Sequence, residues 1–280
     1  MAERNFGKTG RRVTCVGLGG EGVLRTFGRQ EDARSVIRAA LDSGVGYYDS
    51  ARVYSDSERY YGSVWGPAPG KRTGVFQASK SASRDFAGAM ADLEQSLVRL
   101  RTDTLDLWQI HDVRTAADLA AIEGPGGALK AFVAARDAGT VRAIGVTGHH
   151  DPKILTEAVG RWPVDAVMMP VNPVEAVLGG FLTETLPAAR EKGVAVIGMK
   201  VLGASHYILL KYGITASLLI RFALSQDIDV AIVGCGSVQE VQALAGTGRQ
   251  PVPISANEQR RMVDVFAPYA RKLAFYRGVV

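Results

Sequence analysis

Four side chains that can donate, accept or stabilise protons stand at or just after short apolar runs of the sequence. Asp49, Lys80 and His111 each end or follow such a run, and Tyr54 comes five residues after Asp49. A tyrosine hydroxyl has a pKa of about 10 in water, and a nearby ammonium lowers that pKa by favouring the phenolate. A carboxylate beside the lysine would keep it charged, and a histidine can hydrogen-bond the same substrate oxygen. Together the four predict a general acid with its tuning groups, suited to protonating a carbonyl oxygen during reduction.

Each of these residues also has an ordinary structural explanation. Asp49 alone could be a helix cap or loop carboxylate, and Tyr54 an aromatic side chain at a rim. Lys80 alone could be a solvated charge, and His111 a hydrogen-bonded core histidine. The prediction of catalysis therefore depends on all four occurring together at matching positions of successive strands.

The elements that must position these residues are eight short apolar runs alternating with longer amphipathic segments. The runs are continuous and rich in Val, Ile and Leu, as in strands buried on both faces. They are Thr14–Leu18, Gly46–Asp49, Val75–Ala78, Leu105–Ile110, Ala143–Val146, Ala166–Met169, Ala195–Met199 and Val230–Val233. The segments with apolar residues three and four apart are Asp32–Ser43, Asp85–Leu100, Leu129–Ala138, Asp151–Val159, Leu182–Lys192, Thr215–Ser225, Val238–Ala245 and Glu258–Ala267.

Strand and helix alternation of this kind requires parallel pairing with helical crossovers. Eight units predict an α/β fold of the (β/α)₈ TIM-barrel type, as a single domain over residues 1–280. An open doubly wound sheet is the alternative, but Gly17-Leu18-Gly19-Gly20 lacks the third glycine of its dinucleotide fingerprint. In a barrel, chemistry belongs at the carboxyl ends of the strands, where Asp49, Lys80 and His111 fall.

These residues resemble the aldo-keto reductase family over nearly the whole chain. The similar motifs are Phe6-Gly7-Lys8-Thr9-Gly10, Val16-Gly17-Leu18-Gly19-Gly20, and Asp49-Ser50-Ala51-x-x-Tyr54 followed by Ser57-Glu58, with Lys80 and His111 completing the catalytic four. The resemblance implies a barrel that binds a nicotinamide dinucleotide in extended form. It also implies that Tyr54 is the acid, that Lys80 and Asp49 are its tuning pair, and that His111 orients the carbonyl.

The resemblance places the cofactor at the later strand ends, where this chain departs from the family pattern. Gly148 and Met168 replace the usual Asn and Gln, and Met199-Lys200 replaces the common Tyr-Ser. A methionine thioether can still pack against a flat ring. The expected cofactor contacts are Thr147, Asn172, Met199, Lys200, Gly234, Gly236, Ser237 and Glu240.

Glycines before a helix expose backbone N–H groups to an anion, and Ser237 is the expected N-cap of that helix. In the family, a basic residue at the start of this helix often holds the 2′-phosphate of NADP. Glu240 stands there and would repel that phosphate. We expect NADP as the cofactor, with NAD as the alternative.

Composition narrows the class of protein. The chain has 280 residues, 47% hydrophobic and 22% charged, with a net charge of +5 spread without a basic run. We therefore expect a small-molecule substrate rather than nucleic acid. Two cysteines far apart, and no signal-like or membrane-spanning stretch, favour a cytoplasmic protein with no membrane association. His149 and His150 lack neighbouring ligands at metal spacing, so no metal site is expected.

Other features leave alternatives open. Tyr47, Tyr48 and Trp65 are expected to supply aromatic walls to the substrate site, and Trp108 to pack in the barrel. A cofactor-binding regulatory subunit on the same fold would need no proton donor, so the intact four argue against it. A barrel isomerase or lyase would bind no dinucleotide. The sequence does not specify the substrate, the direction of reaction or the oligomeric state.

Overall fold

The protein folds into a closed barrel of eight parallel strands, which confirms the TIM-barrel prediction. The computed structural model describes residues 1–66, 70, 72 and 74–279. The barrel strands are β3 (Val16–Gly22), β4 (Tyr47–Asp49), β5 (Phe76–Ser81), β6 (Leu107–Ile110), β7 (Ile144–Thr147), β8 (Ala166–Pro170), β9 (Ala195–Met199) and β10 (Val230–Cys235). Strand β10 pairs with β3 to close the ring.

An N-terminal hairpin that the sequence analysis did not predict precedes the barrel. Strands β1 (Glu3–Asn5) and β2 (Arg12–Thr14) pair antiparallel, and the turn between them carries Phe6. Phe6 is fully buried and packs on Tyr47 and Phe76, whose rings stack at 5.1 Å. The hairpin therefore fills the amino-terminal end of the barrel interior with aromatic side chains.

The helices surround the barrel in chain order. They are α1 (Gln30–Asp42), α2 (Ser57–Trp65), α3 (Phe86–Leu100), α4 (Ala116–Glu123), α5 (Ala128–Asp137), α6 (Pro152–Arg161), α7 (Pro173–Leu178), α8 (Leu186–Glu191), α9 (Ala216–Leu224), α10 (Val238–Arg249), α11 (Ala256–Phe266) and α12 (Ala270–Leu273). Predicted helices match α1, α3, α5, α6, α9, α10 and α11 within a few residues. The predicted segment Leu182–Lys192 is divided between a π-helical turn, Phe181–Thr185, and α8.

The hydrophobic core has two layers. A small cluster fills the barrel interior, and a much larger one lies between the strands and the helices. Trp108 belongs to the outer layer, where its ring stacks on Phe132 at 3.6 Å. This confirms its predicted packing role. Among the described residues, no helix is long and apolar enough to cross a membrane.

The aromatic walls expected from the sequence are not at the substrate end of the barrel. Tyr47 points into the closed amino-terminal interior, and Tyr48 packs edge-on against Trp65 in the outer layer. All three side chains are fully buried, and the Trp65 indole donates to Gln77. Because side chains alternate along a strand, adjacent Tyr47 and Tyr48 enter opposite layers of the core.

Candidate active site

A cavity of about 900 Å³ opens at the carboxyl ends of the barrel strands. Each of the four predicted catalytic residues lines it: Asp49, Tyr54, Lys80 and His111. Asp49 and Lys80 lie within the last residues of β4 and β5, and His111 directly follows β6. The parallel register of these strands brings residues distant in sequence to one rim.

Lys80 and Asp49 form a buried ion pair across two adjacent strands. The Lys80 ammonium donates to Asp49 Oδ2 at 2.5 Å and to the Ser50 carbonyl at 2.7 Å. Both side chains are almost fully buried. Burial lowers the pKa of Lys80 and raises the pKa of Asp49, while their mutual attraction acts in the opposite direction on each. The pair fixes the ammonium beside the loop that carries Tyr54.

Two cationic side chains lie near the Tyr54 ring, yet burial has the largest effect on the pKa of its hydroxyl. The Lys80 ammonium is 5.0 Å from the Tyr54 ring centroid, and the Arg25 guanidinium is 4.7 Å from it. Burial raises the pKa of Tyr54 well above its usual value, Asp49 and Glu21 add to that rise, and Arg25 opposes it. The sum of these effects is a raised pKa, and the lowering of this pKa by Lys80 stays a prediction. The phenol holds its proton throughout the neutral range.

His111 is a neutral imidazole at this site. Its ring lies edge-on to the Tyr54 ring with a centroid separation of 5.5 Å. Burial, reinforced by the nearby Lys80 charge, lowers the pKa of His111 to about 3. Its Nδ1 is buried without a hydrogen-bond partner in the part of the chain that the structure describes. An uncharged ring beside a protonated tyrosine suits hydrogen bonding to a polar ligand atom.

Most of the predicted cofactor residues line the same cavity. Those that do are Thr147, Met199, Lys200, Gly234, Gly236 and Glu240. Ser237 does not; it caps α10 as predicted, accepting from the Glu240 backbone N–H. Glu240 bends back so that its Oε2 accepts from the Gly236 N–H at 2.6 Å. The Gly236 N–H, which the sequence analysis expected to bind an anion of the cofactor, therefore binds the Glu240 carboxylate instead.

The structure places Asn172 elsewhere. Asn172 is fully buried and caps α7, because its side-chain oxygen accepts from the Glu175 backbone N–H. Its amide donates to the Lys200 carbonyl and to the Tyr276 hydroxyl. Asn172 is not among the residues that line the cavity, although Lys200, whose carbonyl it holds, does line it. A contact between Asn172 and the cofactor stays a prediction.

Gly148 also has a structural explanation. A Cβ atom at this position would come within 2.9 Å of the Val113 carbonyl oxygen, closer than real Cβ contacts allow. The Val113 N–H in turn donates to the Thr147 carbonyl, so the two loops are held together here. This close approach leaves no room for an asparagine side chain without movement of the backbone.

Sequence reasoning missed the polar rim around the substrate end of the cavity. Arg25, Arg84 and Arg114 line it together with Glu21 and Asp112. Arg84 donates to Asp118 and to two backbone carbonyls, and Arg114 pairs with Asp112. Arg84, Asp112 and Arg114 lie in loops, Arg25 in the 3₁₀ turn Val23–Arg25, and Glu21 near the end of β3. No periodic pattern marks them, so only their position at or after the ends of barrel strands could have indicated them.

The β3–β10 seam shapes the opposite side of the cavity. Pairing shifts between Val233↔Leu18 and Cys235↔Gly22, which leaves extra residues in β3. Gly22 has φ +70°, and a Cβ there would lie 2.5 Å from the Cys235 carbonyl oxygen. Glycine is therefore required for the close approach of the two backbones at the cavity wall.

The family model described as "Aldo/keto reductase family" matches residues 15–212. The chain belongs to the aldo/keto reductase family. All four rim residues, Asp49, Tyr54, Lys80 and His111, lie inside the matched range. The predicted cofactor positions from Gly234 to Glu240 lie beyond it.

Two curated relatives are similar over part of their length. Aldo-keto reductase YhdN of Bacillus subtilis is 30% identical over 213 residues, covering 70% of this chain and 61% of the relative. The 6-dehydroglucose reductase of Novosphingobium aromaticivorans is 29% identical over 163 residues, covering 52% and 51%. The chain thus matches between about half and three-fifths of the length of these relatives.

Solved structures share the fold over almost the whole chain. The holo form of an aldo-keto reductase from Bacillus halodurans superposes with a TM-score of 0.78 at 20% identity, covering 100% of this chain and 98% of that one. An aldo-keto reductase from Klebsiella pneumoniae in complex with NADPH gives 0.76 at 20% identity, covering 95% and 96%. At this identity the likeness concerns the fold of the barrel.

Proposed function

We propose that the protein is an NADP(H)-dependent carbonyl reductase that converts a small aldehyde, ketone or sugar into the alcohol, or catalyses the reverse reaction. The convergence of a protonated Tyr54, a Lys80–Asp49 pair and a neutral His111 in one cavity carries this proposal. Membership in the aldo/keto reductase family supports it. The name of the Novosphingobium aromaticivorans relative, 6-dehydroglucose reductase, adds support for a polar carbonyl substrate.

The residues around the cavity fit a nicotinamide dinucleotide. The cavity extends from the catalytic four to Gly236 and Glu240, and about 900 Å³ is large enough for a bulky ligand. Met199, at the end of β9, offers a thioether to a flat ring. Within the described part of the chain, a Cβ at Gly236 would meet only the Glu240 carboxylate, at 3.6 Å, so this backbone is open to close approach by a ligand.

The roles of the chain's own residues follow from their protonation. When bound, the nicotinamide supplies or accepts the hydride. Tyr54 holds a proton on its hydroxyl and gives it to the carbonyl oxygen, on which negative charge develops. His111, uncharged and beside Tyr54, hydrogen-bonds the same oxygen. Lys80, held by Asp49, places a positive charge near the resulting tyrosinate.

One observation favours NAD(H) over NADP(H). Glu240 places a carboxylate at the N-terminal end of α10, where members of the family often have a basic residue that binds the 2′-phosphate of NADP. Arg249, a conceivable replacement, instead donates to the Ser43 carbonyl and does not line the cavity. Lys200 does line it and can offset the Glu240 charge. We retain NADP(H) as the proposed cofactor and NAD(H) as the alternative.

The test is to titrate the purified protein with NADPH and with NADH, following Trp and Tyr fluorescence. A panel of aldehydes, ketones and sugars is then screened for nucleotide oxidation. We expect tight binding of one nucleotide and turnover of at least one carbonyl. We further expect Tyr54→Phe to lower kcat by about 10²- to 10⁴-fold, the usual contribution of a general acid, with little change in nucleotide Kd.

The matched control is Tyr269→Phe, which removes a hydroxyl from an exposed tyrosine outside the cavity. It should keep wild-type turnover. Absence of binding to either nucleotide would contradict the reductase proposal. Binding with no turnover of any carbonyl would favour a regulatory subunit, and full activity in Tyr54→Phe would remove Tyr54 from the mechanism.

A further inference from the structure

A second cavity, of about 800 Å³, lies outside the barrel between α1, α2 and α3. We call it the helix pocket. Its polar lining comes from Gln30, Arg59, Ser63, Gln95, Arg99 and Arg101, with Glu94 as a carboxylate at its wall. None of these residues lines the active-site cavity, so the helix pocket is a separate site.

The helix pocket carries a concentrated positive charge. Among the described residues, three arginines line it, Arg59, Arg99 and Arg101, and Glu94 is the only lining carboxylate. Arg99 and Arg101 make no side-chain hydrogen bond or ion pair within the described part of the chain. Burial lowers the pKa of Arg99 and the charges of Arg52 and Arg59 lower it further, whereas the carboxylates of Glu58 and Asp56 raise it. Within the described part of the chain, the guanidinium groups of Arg99 and Arg101 are therefore available to an added anion.

Helix dipoles explain only part of this arrangement. Arg99 and Arg101 lie at the carboxyl end of α3, where a cation is favourable. Arg59 lies in the first turn of α2, where a cation is unfavourable, and its nearest carboxylate, Asp56, is 3.6 Å away. Asp56 offsets part of the Arg59 charge, and the Arg59 side chain, 62% exposed, also lines the helix pocket.

Arg101 is placed with unusual backbone geometry. Its φ is +52°, the left-handed conformation that glycine usually supplies at the end of a helix. Its side chain packs on Gly66, where a Cβ would come within 2.4 Å of the Arg101 Cδ. A cationic side chain occupies a position where glycine would relieve strain, and a glycine opposite makes room for it.

We propose that the helix pocket binds the phosphoryl group of a small molecule. Guanidinium groups bind phosphate oxygens through paired N–H donors, and such charge-assisted hydrogen bonds are stronger than neutral ones. The volume exceeds what a single phosphate fills, so a diphosphate or an organic phosphate fits best. Gln95 also accepts from Arg52, so the pocket adjoins the loop that carries Tyr54.

The test uses pyrophosphate as the probe and the full-length chain. Isothermal titration at constant ionic strength, set with KCl, compares wild type with Arg99→Gln/Arg101→Gln. The control is Arg260→Gln/Arg261→Gln, which removes the same charge from the exposed face of α11. We expect saturable one-to-one binding in wild type and control, and at least a tenfold higher Kd in Arg99→Gln/Arg101→Gln.

Urea unfolding checks that the variants are folded. If Arg99→Gln/Arg101→Gln is not, Arg59→Gln replaces it, because the Arg59 side chain is 62% exposed and its loss leaves the core intact. Equal Kd values in all the proteins would place pyrophosphate elsewhere, the active-site cavity included, and overturn the proposal. Absence of binding by wild type at millimolar pyrophosphate would overturn it too.

Discussion

At the scale of single residues, the environment of Tyr54 differs from what the sequence indicates. Lys80, the cation expected to lower the Tyr54 pKa, donates its hydrogen bonds to Asp49 and to the Ser50 carbonyl. Arg25 lies slightly closer to the Tyr54 ring, and it opposes the burial that raises the Tyr54 pKa. No motif indicated Arg25, because it lies in a short 3₁₀ turn, Val23–Arg25, after β3. Only the folded barrel brings it to the tyrosine.

If the proposed reaction is correct, Arg25→Met will slow alcohol oxidation more than carbonyl reduction. Oxidation needs the Tyr54 anion as a base, and loss of a cation raises the Tyr54 pKa further, so the anionic fraction at a fixed pH falls. Each unit of pKa costs about tenfold in that fraction. We expect several-fold lower kcat/KM for oxidation at pH 9 and a smaller change for reduction at pH 6.

Arg25→Lys keeps the positive charge and serves as the matched variant for this experiment. Its oxidation rate should stay close to that of the wild type, although the Glu21 ion pair at 2.7 Å will be altered. Equal losses in both directions for Arg25→Met would mean that Arg25 acts by shaping the cavity rather than through its charge.

The position of Asn172 also follows from a local signal in the sequence. Asn172-Pro173 is a strong start signal for a helix, since Asn caps well and Pro suits the first turn. That signal was present in the sequence, and in the structure the Asn172 side chain caps α7. The second partner, Tyr276, lies 104 residues away near the C-terminus, a contact that no local pattern reveals.

At the scale of elements, the eight barrel strands could be predicted because a strand buried on both faces is continuously apolar. The β1–β2 hairpin could not be, because its strands are only three residues long and all their side chains except Val13 are charged or polar. The conformation of the loop after β9 could not be predicted either. Lys200, Ala204 and Ser205 all adopt positive φ there and line the cavity, although none is a glycine. Such conformations are imposed by tertiary packing rather than by local propensity.

The N-terminal end of α10 carries the prediction about cofactor choice. Glu240 both lines the cavity and accepts from the Gly236 N–H, so its replacement changes charge and a hydrogen bond together. Glu240→Gln keeps an acceptor oxygen and removes the charge alone. Relief of a like-charge contact should lower the Kd of NADPH relative to NADH by about tenfold, or ~1.4 kcal/mol, in Glu240→Gln.

Glu240→Arg should move the ratio of Kd values further in the same direction, because it adds an attractive charge. Fluorescence titration of both nucleotides against each variant measures the ratio. If neither nucleotide responds to either substitution, Glu240 is not near the 2′ position, and the cofactor preference is determined elsewhere.

At the scale of the whole molecule, the C-terminal segment ties the late strands together. Arg277 forms a buried ion pair with Glu175, and the Tyr276 hydroxyl donates to the same carboxylate. The Tyr276 carbonyl also lies 3.0 Å from His149 Nδ1, beside the cavity. The family match ends at residue 212, before this segment, so family resemblance alone gave no reason to expect it.

Stability of the whole protein should depend on His111 in mildly acidic solution. The unfolded histidine takes up a proton near pH 6.5, whereas the folded one stays neutral until about pH 3. His149, whose pKa is also lowered by burial, acts in the same direction. The stabilisation is complete above about pH 6.5 and declines as the pH falls below it, by about 1.4 kcal/mol per unit for each such proton.

Glutamine at position 111 stays neutral at every pH, so His111→Gln should flatten this decline. Between pH 6.5 and 4.5 we expect the free energy of unfolding of wild type to fall by about 2–3 kcal/mol more than that of the variant. Urea unfolding followed by Trp fluorescence at several pH values measures this difference. His206→Gln, at an exposed histidine, should follow the wild-type curve. If the His111→Gln curve also runs parallel to that of wild type, the imidazole is solvated well enough to take up a proton in the folded state, and its assignment as a neutral hydrogen-bonding group would be wrong.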